Sequence, residues 1–578
     1  MLARKSGGQR TLSVCAFGWM LTVVWAGGCT SPGSTPQPPG NNDDVDLARA
    51  IEEADIVKVA NGYFYLANPY KGLMIVDGQD MDHPTLSGVL PLGGRGIELF
   101  LVGERAYVFT SADFYACAGE PVGYDSLSDD GIVQPDYEGS RLWVIDVSDK
   151  TAPEVEAQFD FDGFVQATRR VGDAIYATGN AAIDLSNLQG EGVFVTSFNI
   201  ADPENIVEAD SVDFAAYVEN IHVSTEAIYV YGPDPTVDDT SLISLVDISD
   251  PTGDLLVRDQ FRVPGEPVDR YALDERDGTL RVVTERFDRS RWVRKVELYI
   301  YDVSNPDDID RLSDLELSEG YGSLEAARFD GDRAYVVAAW QDEPMMILDL
   351  SDPNDPVVAG TAEVPGSSTH IVPAGDRLYA VGYDSRWGYR PSVAMYDVSD
   401  PADVRRLSSI IVGDLWSYDT ESEATVDEKA LRVLEDEGLI LLPFSTYDRD
   451  EFEYVEALQI IEITPTILRE RGLIEHTGRV RRTNIEDDRL WVLSDLAFQS
   501  LDIDDLDAPE SLAAIELIDE QELLDAGLIN CVDSLRYWGT PLYYYYGGSS
   551  FFCGAGAVPF MTMTLAGLVG LSWRRRRQ

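Results

Sequence analysis

The sequence predicts an all-β protein built as a single large β-propeller. Three observations support this fold: a strand-and-turn motif that recurs along the chain, a four-strand unit that repeats, and an aromatic content of 10% with 28 Tyr. The clearest motif is MMILDLSDP at 345–353, with relatives at 142–149, 245–251, 299–306 and 394–401. Apolar β-formers make the strand. Pro then ends it, because Pro fixes φ and lacks a donor for the ladder.

The Asp in this motif, Asp349 in the clearest copy, resembles an acid or a metal ligand at first sight. However, an Asp or Asn stands at the same place in nearly every copy, whereas a site is usually built once. Asp side chains also bond to nearby backbone and so stabilise turns. We therefore interpret the repeated Asp as a turn residue.

A complete unit is visible at 323–364, with predicted strands at 324–329, 333–339, 345–350 and 357–364. Four strands in roughly 40 to 65 residues are typical of a propeller blade, and the repeats of a β-solenoid are shorter. The template fits nine units, starting near 54, 96, 164, 217, 268, 323, 368, 429 and 480. Propellers with more than eight blades are rare, so we expect eight blades, with nine as the alternative.

The ends of the chain predict export and attachment to the cell envelope. Residues 1–28 resemble a signal peptide, with a basic start and an apolar stretch at 12–25. Small residues precede Cys29, which resembles the lipidated cysteine of a bacterial lipoprotein, although an ordinary signal peptidase would also accept them. Residues 29–48 predict a flexible linker, 49–517 the propeller, and 518–553 an aromatic-rich tail.

Residues 554–578 predict a transmembrane or sorting segment. Residues 554–573 are small and apolar, just long enough to span a bilayer, and four Arg follow at 574–577. Together with Cys553, this pattern resembles the C-terminal sorting signals of myxobacterial-type surface proteins, which are cut near the cysteine. A plain tail anchor is the alternative.

The charge of the chain limits its partners and cofactors. Acidic residues outnumber basic ones by 102 to 44, for a net charge of −58. This disfavours nucleic acid and anionic membrane surfaces. Only four His are present, so we expect no His-based metal site and no cofactor. Calcium is the exception to consider in the acidic insertions at 114–140 and 417–429, but neither has EF-hand spacing, and solvated loops are the preferred interpretation.

The cysteines leave several arrangements open. Cys117 and Cys531 lie in or near the folded region, where an oxidising compartment permits a disulfide. Cys531 with Cys553 is a rival pair, and free thiols are a third arrangement.

Parts of the propeller resemble the secreted bacterial and archaeal proteins that carry a β-propeller domain. The residues behind this are EADIVK at 53–58, GDRAYVV at 331–337, DLSDP at 349–353, VPGSS at 364–368 and VGD at 412–414. Single units also resemble the repeats named for a Leu-Val-Ile-Val-Asp core. The chain departs at Ile51-Glu52, where Gly-Val-Asp is usual, and in the insertion at 114–140. The resemblance implies a propeller and export, and no reaction.

A site on a propeller is most often sought in the central channel, which the innermost strands line. We predict that a ligand site there would draw on polar residues of four units: Glu219, His222, Asp269, Arg270, Glu325, Arg328 and His370. A His beside a carboxylate suits acid–base chemistry. Ordinary channel-lining polar residues are the alternative interpretation, and no nucleophile elbow, phosphate loop or zinc-ligand spacing accompanies them.

Three functions are therefore compatible with the sequence. The first is an extracellular binding module at the outer membrane or cell surface, with a protein or polysaccharide as partner. The second is a propeller hydrolase, lyase or dehydrogenase with its site in the channel, and the third is a structural envelope protein. The fold does not decide among them, since propellers serve all these roles.

Overall fold

The computed structural model describes residues 51–112, 133–181, 192–214, 220–339, 344–364, 366–384, 390–413, 420–448, 453–519 and 522. These residues form nine antiparallel sheets, eight of four strands and one of five. The all-β propeller is confirmed, and the ring has the larger of the two expected blade numbers. Because each blade uses four consecutive strands, every blade is a local unit of the sequence; the fifth strand of the largest sheet comes from the N-terminal segment.

A short strand, β1 (Ile51–Glu53), precedes the first blade. The strands of blades 1 to 3 are β2 (Val57–Ala60), β3 (Tyr63–Asn68), β4 (Gly72–Asp77), β5 (Thr85–Leu90), β6 (Arg95–Val102), β7 (Arg105–Ser111), β8 (Ser140–Asp146), β9 (Glu154–Phe161), β10 (Gly163–Val171), β11 (Ala174–Ala181), β12 (Val193–Asn199) and β13 (Val207–Phe214). Those of blades 4 to 6 are β14 (Asn220–Val223), β15 (Ala227–Pro233), β16 (Thr240–Asp247), β17 (Leu256–Pro264), β18 (Leu273–Arg276), β19 (Thr279–Asp288), β20 (Val293–Asp302), β21 (Asp310–Gly320), β22 (Ser323–Asp330), β23 (Arg333–Ala339), β24 (Met345–Asp349) and β25 (Val357–Ala362). Those of blades 7 to 9 are β26 (Ser367–Ala374), β27 (Arg377–Asp384), β28 (Arg390–Asp397), β29 (Arg405–Ile411), β30 (Arg432–Leu434), β31 (Leu439–Asp448), β32 (Glu453–Ile463), β33 (Leu468–Glu475), β34 (Arg482–Glu486), β35 (Arg489–Leu493), β36 (Ala497–Asp502) and β37 (Glu510–Glu516).

The ring closes where blade 1 meets blade 9. No strand is shared between the two blades, so packing must hold the junction. The Phe64 ring lies edge-on to Trp491 at 5.4 Å and to Phe498 at 4.8 Å between centroids. Such pairs contribute about 0.5–1.5 kcal/mol beyond their buried area. Asn68 Nδ2 also donates to the Asp495 carbonyl at 2.9 Å.

The repeated Asp is a turn residue, as predicted from its recurrence. Asp349 Oδ1 accepts from the backbone N–H of Ser351 at 3.0 Å, and Asp352 Oδ1 accepts from Asn354 N at 2.9 Å. The first of these bonds recurs in eight blades, and Asn199 takes the place of Asp in blade 3. Blade 8 instead uses Thr464, whose Oγ1 accepts from Ile467 N at 3.0 Å. Each turn therefore closes on its own residues, independently of the rest of the ring.

The outer edge of every blade is irregular. In all nine blades the register shifts between the third and fourth strands, as between Ile347 and Leu348 in blade 6. A bulge increases the local twist and makes an exposed edge a poor template for pairing with another chain. Blades contact each other closely at this edge. A Cβ on Gly360 of β25 would lie 1.8 Å from the Pro401 carbonyl oxygen of blade 7.

The two faces of the ring differ in their connections. Antiparallel strands alternate in direction, so the connections from first to second and from third to fourth strands lie on one face, here called the turn face. Connections from second to third strands and from one blade to the next lie on the other, the loop face. The first-to-second connections vary little in length, from residues 61–62 in blade 1 to residues 435–438 in blade 8. The second-to-third connections vary much more in length, from residues 69–71 in blade 1 to residues 112–139 in blade 2.

Several predictions fall on other parts of the chain. All five cysteines, Glu219, the signal at 1–28, the linker and residues 523–578 lie outside the described residues, so what the sequence indicates about them stays a prediction. No helix of the described part is long and apolar enough to cross a membrane.

Candidate functional site in the central channel

The N-terminal strand β1 lies inside the ring rather than at the start of blade 1. It pairs antiparallel with β10, the innermost strand of blade 3, with Glu53 opposite Arg169. The chain then crosses to blade 2, where Asp55 and Leu99 exchange two backbone hydrogen bonds of 3.2 and 2.8 Å. Because β1 runs antiparallel to β10, residue 51 is at the turn face and the chain enters the channel from there.

A second segment enters the channel from the loop face, between blades 7 and 8. It contains two short 3-10 helices, Glu423–Thr425 and Glu428–Ala430, capped by the side chains of Ser422 and Asp427. The solvated loop expected at 417–429 is wrong for its described part. Asp427, Glu428 and Lys429 are 3%, 8% and 1% exposed. These charged side chains can be buried because the ring supplies groups of opposite charge for them. In a solvated loop, water would take the place of those groups.

Ion pairs join the two segments to the channel wall. We call the following residues the channel cluster: Glu53, Asp55, Arg169, Arg270, Asp427, Glu428, Lys429 and Arg482. Arg270 Nη1 donates to Glu53 Oε1 at 2.6 Å, and its Nη2 donates to Glu428. Arg169 Nη2 lies 3.2 Å from the same Glu53 oxygen. One carboxylate from the N-terminal segment thus bridges arginines of blades 3 and 5.

The second N-terminal carboxylate is held on the opposite side of the ring. Arg482 of blade 9 donates from Nε to Asp55 Oδ1 and from Nη1 to Asp427 Oδ2, both at 2.7 Å. Lys429 Nζ donates to the Ala54 carbonyl oxygen. Arg482 is only 1% exposed, so these charges depend on one another instead of on water.

The two N-terminal carboxylates are strongly acidic. Burial acts to raise the pKa of Glu53, but the charges of Arg169, Arg270 and Lys429 outweigh it and lower the pKa to about 2. Burial is likewise outweighed at Asp55, whose pKa is lowered by Arg482 and Lys429. Both groups are therefore ionised at any ordinary pH.

Glu428 of the second segment and Asp269 of the ring, here called the wall carboxylates, behave in the opposite way. Burial raises the pKa of Glu428 to about 7, against the opposing charge of Arg270. Burial also raises the pKa of Asp269 to about 6, although its Oδ1 accepts backbone hydrogen bonds from Tyr271 and Ala272. The pKa values of these two groups therefore lie much closer to neutral pH than those of Glu53 and Asp55.

A small cavity lies next to the cluster. Its lining includes Asp269, Tyr271, Arg328, His370 and Glu428, and its volume of about 10 Å³ is close to what one water needs. The Arg328 guanidinium lies 4.0 Å from the centroid of the Tyr271 ring. Burial lowers the pKa of His370 to about 4, and its Nε2 has no hydrogen-bond partner among the described residues. A water in this cavity is the natural partner for that nitrogen.

The structure brings together four of the residues predicted for a channel site: Asp269, Arg270, Arg328 and His370. It places Glu325 apart from them, where its carboxylate accepts from the Ser323 and Ser367 hydroxyls at 3.1 and 3.0 Å. His222 of β14 joins these four, because its ring hydrogen-bonds to the backbone of Arg270, and burial lowers its pKa. Whether any of them binds a ligand stays a prediction.

Of the channel cluster, only Arg270 was among the residues predicted from the sequence. Glu53 and Asp55 belong to the EADIVK stretch, which was placed at the start of the first unit, and Lys429 and Arg482 carry no local signal. The only hint was two carboxylates directly before an apolar strand. Among the described residues, no group of three or more His, Cys, Asp or Glu is arranged to hold a metal ion.

Two curated proteins are similar in sequence to part of this chain. The chain is 31% identical over 157 residues to an uncharacterized protein of Methanocaldococcus jannaschii, covering 27% of this chain and 24% of the relative. It is 28% identical over 203 residues to an uncharacterized protein of Archaeoglobus fulgidus, covering 35% of this chain and 30% of the relative. The chain thus spans about a quarter to a third of the length of these curated relatives.

Two solved structures are also similar. A protein from Lactobacillus plantarum has 13% identity and a TM-score of 0.33, with 60% of this chain and 99% of that chain covered. Sqt1 from Chaetomium thermophilum has 9% identity and a TM-score of 0.35, with 57% and 79% covered. The family model described as "Beta propeller domain" matches residues 47–193 and 185–506. These matches extend over most of the chain, which therefore belongs to the beta propeller domain family.

Proposed function

We propose that this protein is an exported, envelope-tethered β-propeller that binds an extracellular protein or polysaccharide through its loop face. The observation that carries the proposal is the difference between the two faces. The connections on the turn face have nearly the same length in all nine blades. On the loop face, the second-to-third connections vary in length from residues 69–71 to residues 112–139. Rigid scaffolds usually carry their recognition residues on such variable loops.

Large side chains exposed on the loop face support this role. Trp292, between β19 and β20, is 57% exposed, and Tyr321, between blades 5 and 6, is 64% exposed. Register brings them to the same end of blade 5, because Arg294 pairs with Gly320. Trp292 also has φ of +56°, a strained conformation for a bulky residue. Trp and Tyr are the residue types that most often dominate binding interfaces.

The faces at which the chain enters and leaves the ring also support the proposal. Residue 51 is at the turn face, so a lipid on Cys29 would tether that face toward the membrane and leave the loop face outward. At the other end, Leu517 N donates to the Leu496 carbonyl at 2.8 Å, which puts the C-terminal end of the ring at the loop face. Under this proposal, the sorting segment at 554–578 is removed or released, and Cys29 is the lasting tether.

Site-specific photo-crosslinking tests the binding proposal. A photoreactive amino acid replaces Trp292 in one sample and Leu256 in the control. Leu256 is 51% exposed but begins β17, next to the turn face. The full chain is then irradiated on its native cells. We expect a discrete adduct from position 292 and none from position 256. The same diffuse products from both positions would contradict the proposal.

Intact-mass and surface-labelling analysis of protein purified from its native envelope tests the tether. A diacylglycerol-bearing Cys29 and a C-terminus near Cys553 are the expected result. An unmodified N-terminus with residues 574–577 intact would instead mean a C-terminal anchor.

A channel enzyme is the second candidate. The observation in its favour is the cavity itself, where Asp269 and Glu428 have pKa values raised to about 6 and 7 beside His370. Screening hydrolase, lyase and dehydrogenase substrates with wild type and His370→Ala distinguishes it. An activity that His370→Ala abolishes without a change in melting temperature would favour the enzyme over the binding module.

A further inference from the structure

The N-terminal segment 51–55 occupies the channel as a bound peptide would. Its strand adds to the inner edge of β10 through only three residue pairs, Ile51 with Val171, Glu52 with Arg170, and Glu53 with Arg169. This is the geometry of strand addition, in which an extended peptide pairs with an exposed sheet edge and side-chain pockets give specificity. A strand pairing this short contributes little stability by itself.

The side-chain pockets are formed entirely by other blades. Arg169 and Arg270 receive the Glu53 carboxylate, from blade 3 and from the connection into blade 5. Arg482 of blade 9 receives the carboxylate of Asp55 at 2.7 Å. The site thus binds two carboxylates two residues apart on one segment, the first at the end of β1 and the second just after it.

The channel wall needs the charge that this segment brings. Its described cations include Arg169, Arg270, Arg328, Lys429, Arg432 and Arg482. The wall carboxylates compensate them only in part, since burial raises the pKa of Asp269, Glu428 and also Glu98. Without segment 51–55, buried arginines would lose ion-pair partners, which is strongly unfavourable. An empty channel would therefore attract another anionic strand.

We propose that the central channel is a binding site for extended acidic peptides with carboxylates at positions i and i+2. In the resting protein, segment 51–55 fills this site in cis and acts as an autoinhibitory ligand. The ligand in trans is an acidic strand of another protein. This site is separate from the loop face, so either proposal can fail without the other.

The test uses the full chain and a fluorescein-labelled peptide with the sequence of residues 49–57. In the variant Glu53→Gln, the cis segment loses its ion pairs with Arg169 and Arg270. The added peptide then competes more easily for the site. Apparent affinity scales with the free fraction of the site, so emptying a site that is about 90% occupied in cis gives about a tenfold gain, and a more fully occupied site gives a larger one. We expect a gain of about tenfold or more for the variant, measured by fluorescence anisotropy.

Two controls isolate the carboxylates. Glu156→Gln also removes a carboxylate from an ion pair, but Glu156 lies on the outer strand β9 and pairs with Arg105 at 2.7 Å instead of with the channel cluster. It should bind the peptide as wild type does. A second peptide, with Gln and Asn at the positions of Glu53 and Asp55, should bind neither protein. Equal binding of the two peptides by Glu53→Gln, or no binding at all, would overturn the proposal.

A measurement on wild type covers the case in which Glu53→Gln does not fold. Hydrogen exchange of the β1 amides is followed with and without excess acidic peptide. Displacement of the cis strand should speed exchange at 51–53, while the amide-substituted peptide should not. Unchanged exchange at saturating acidic peptide would refute a replaceable cis ligand.

Discussion

Arg482→Ala is the substitution that most directly tests the buried channel cluster. Arg482 is 1% exposed and donates to both Asp55 and Asp427 at 2.7 Å. Its removal leaves two buried carboxylates without their cation, and breaking a buried pair in this way costs about 3–5 kcal/mol. The variant should therefore be clearly less stable while keeping the propeller fold.

The expected shift in melting temperature follows from the size of the ring. An unfolding entropy of about 2.1 cal/mol/K per residue amounts to about 1 kcal/mol/K for residues 51–519. A loss of 3–5 kcal/mol then lowers Tm by about 3–5 °C. Differential scanning calorimetry at neutral pH measures this shift directly, with far-UV circular dichroism as the check that the fold persists.

A matched control separates burial from ion pairing itself. Arg471 also contacts two carboxylates, Asp507 at 2.6 Å and Glu462 at 2.8 Å, but it lies at the outer surface with 24% of its side chain exposed. Arg471→Ala should cost about 1 kcal/mol or less and shift Tm by about 1 °C or less. Equal shifts for the two variants, or an Arg482 variant as stable as wild type, would refute the reasoning.

Three further substitutions test the turns, the blade contacts and the wall carboxylates. Asp349→Ala removes the bond to Ser351 N and should cost about 1 kcal/mol in calorimetry; loss of partner binding at unchanged Tm would contradict a turn role. Gly360→Ala places a Cβ 1.8 Å from a backbone oxygen and should cost about 1–3 kcal/mol, so an unchanged Tm would disprove the close contact. The pKa of Glu428 is raised from 4.5 to about 7, so the stability linked to its proton is present below about pH 4.5 and lost as the pH rises to about 7. Glu428→Gln should therefore flatten the decline of Tm across this range, and a decline as steep as that of wild type would argue against the shift.

Most of the fold was predictable because a blade is a local unit. The strands expected at 324–329, 333–339, 345–350 and 357–364 match β22 to β25 closely. Each depends on alternation along a few residues and on turns such as the one at Asp349, whose partners are two residues away. Reading nine units from the sequence was correct, while the expectation of eight came from general experience with rings and not from this chain.

The site was only partly predictable. Asp269, Arg270, Arg328 and His370 were identified because innermost strands must line the channel. The described part of the acidic insertion at 417–429 was misjudged, because acidic composition normally indicates a solvated loop. Its burial depends on Arg270 and Arg482, which come from other blades.

The sequence by itself determined the β class, the blade unit and the turn chemistry, since these depend on contacts between near neighbours in the chain. Only the tertiary structure decided what fills the channel. Glu53 meets Arg270, and Asp55 meets Arg482, across 217 and 427 positions of sequence. Closing the ring brings such distant residues together, and the low dielectric inside the channel then couples their charges. No local pattern records either effect.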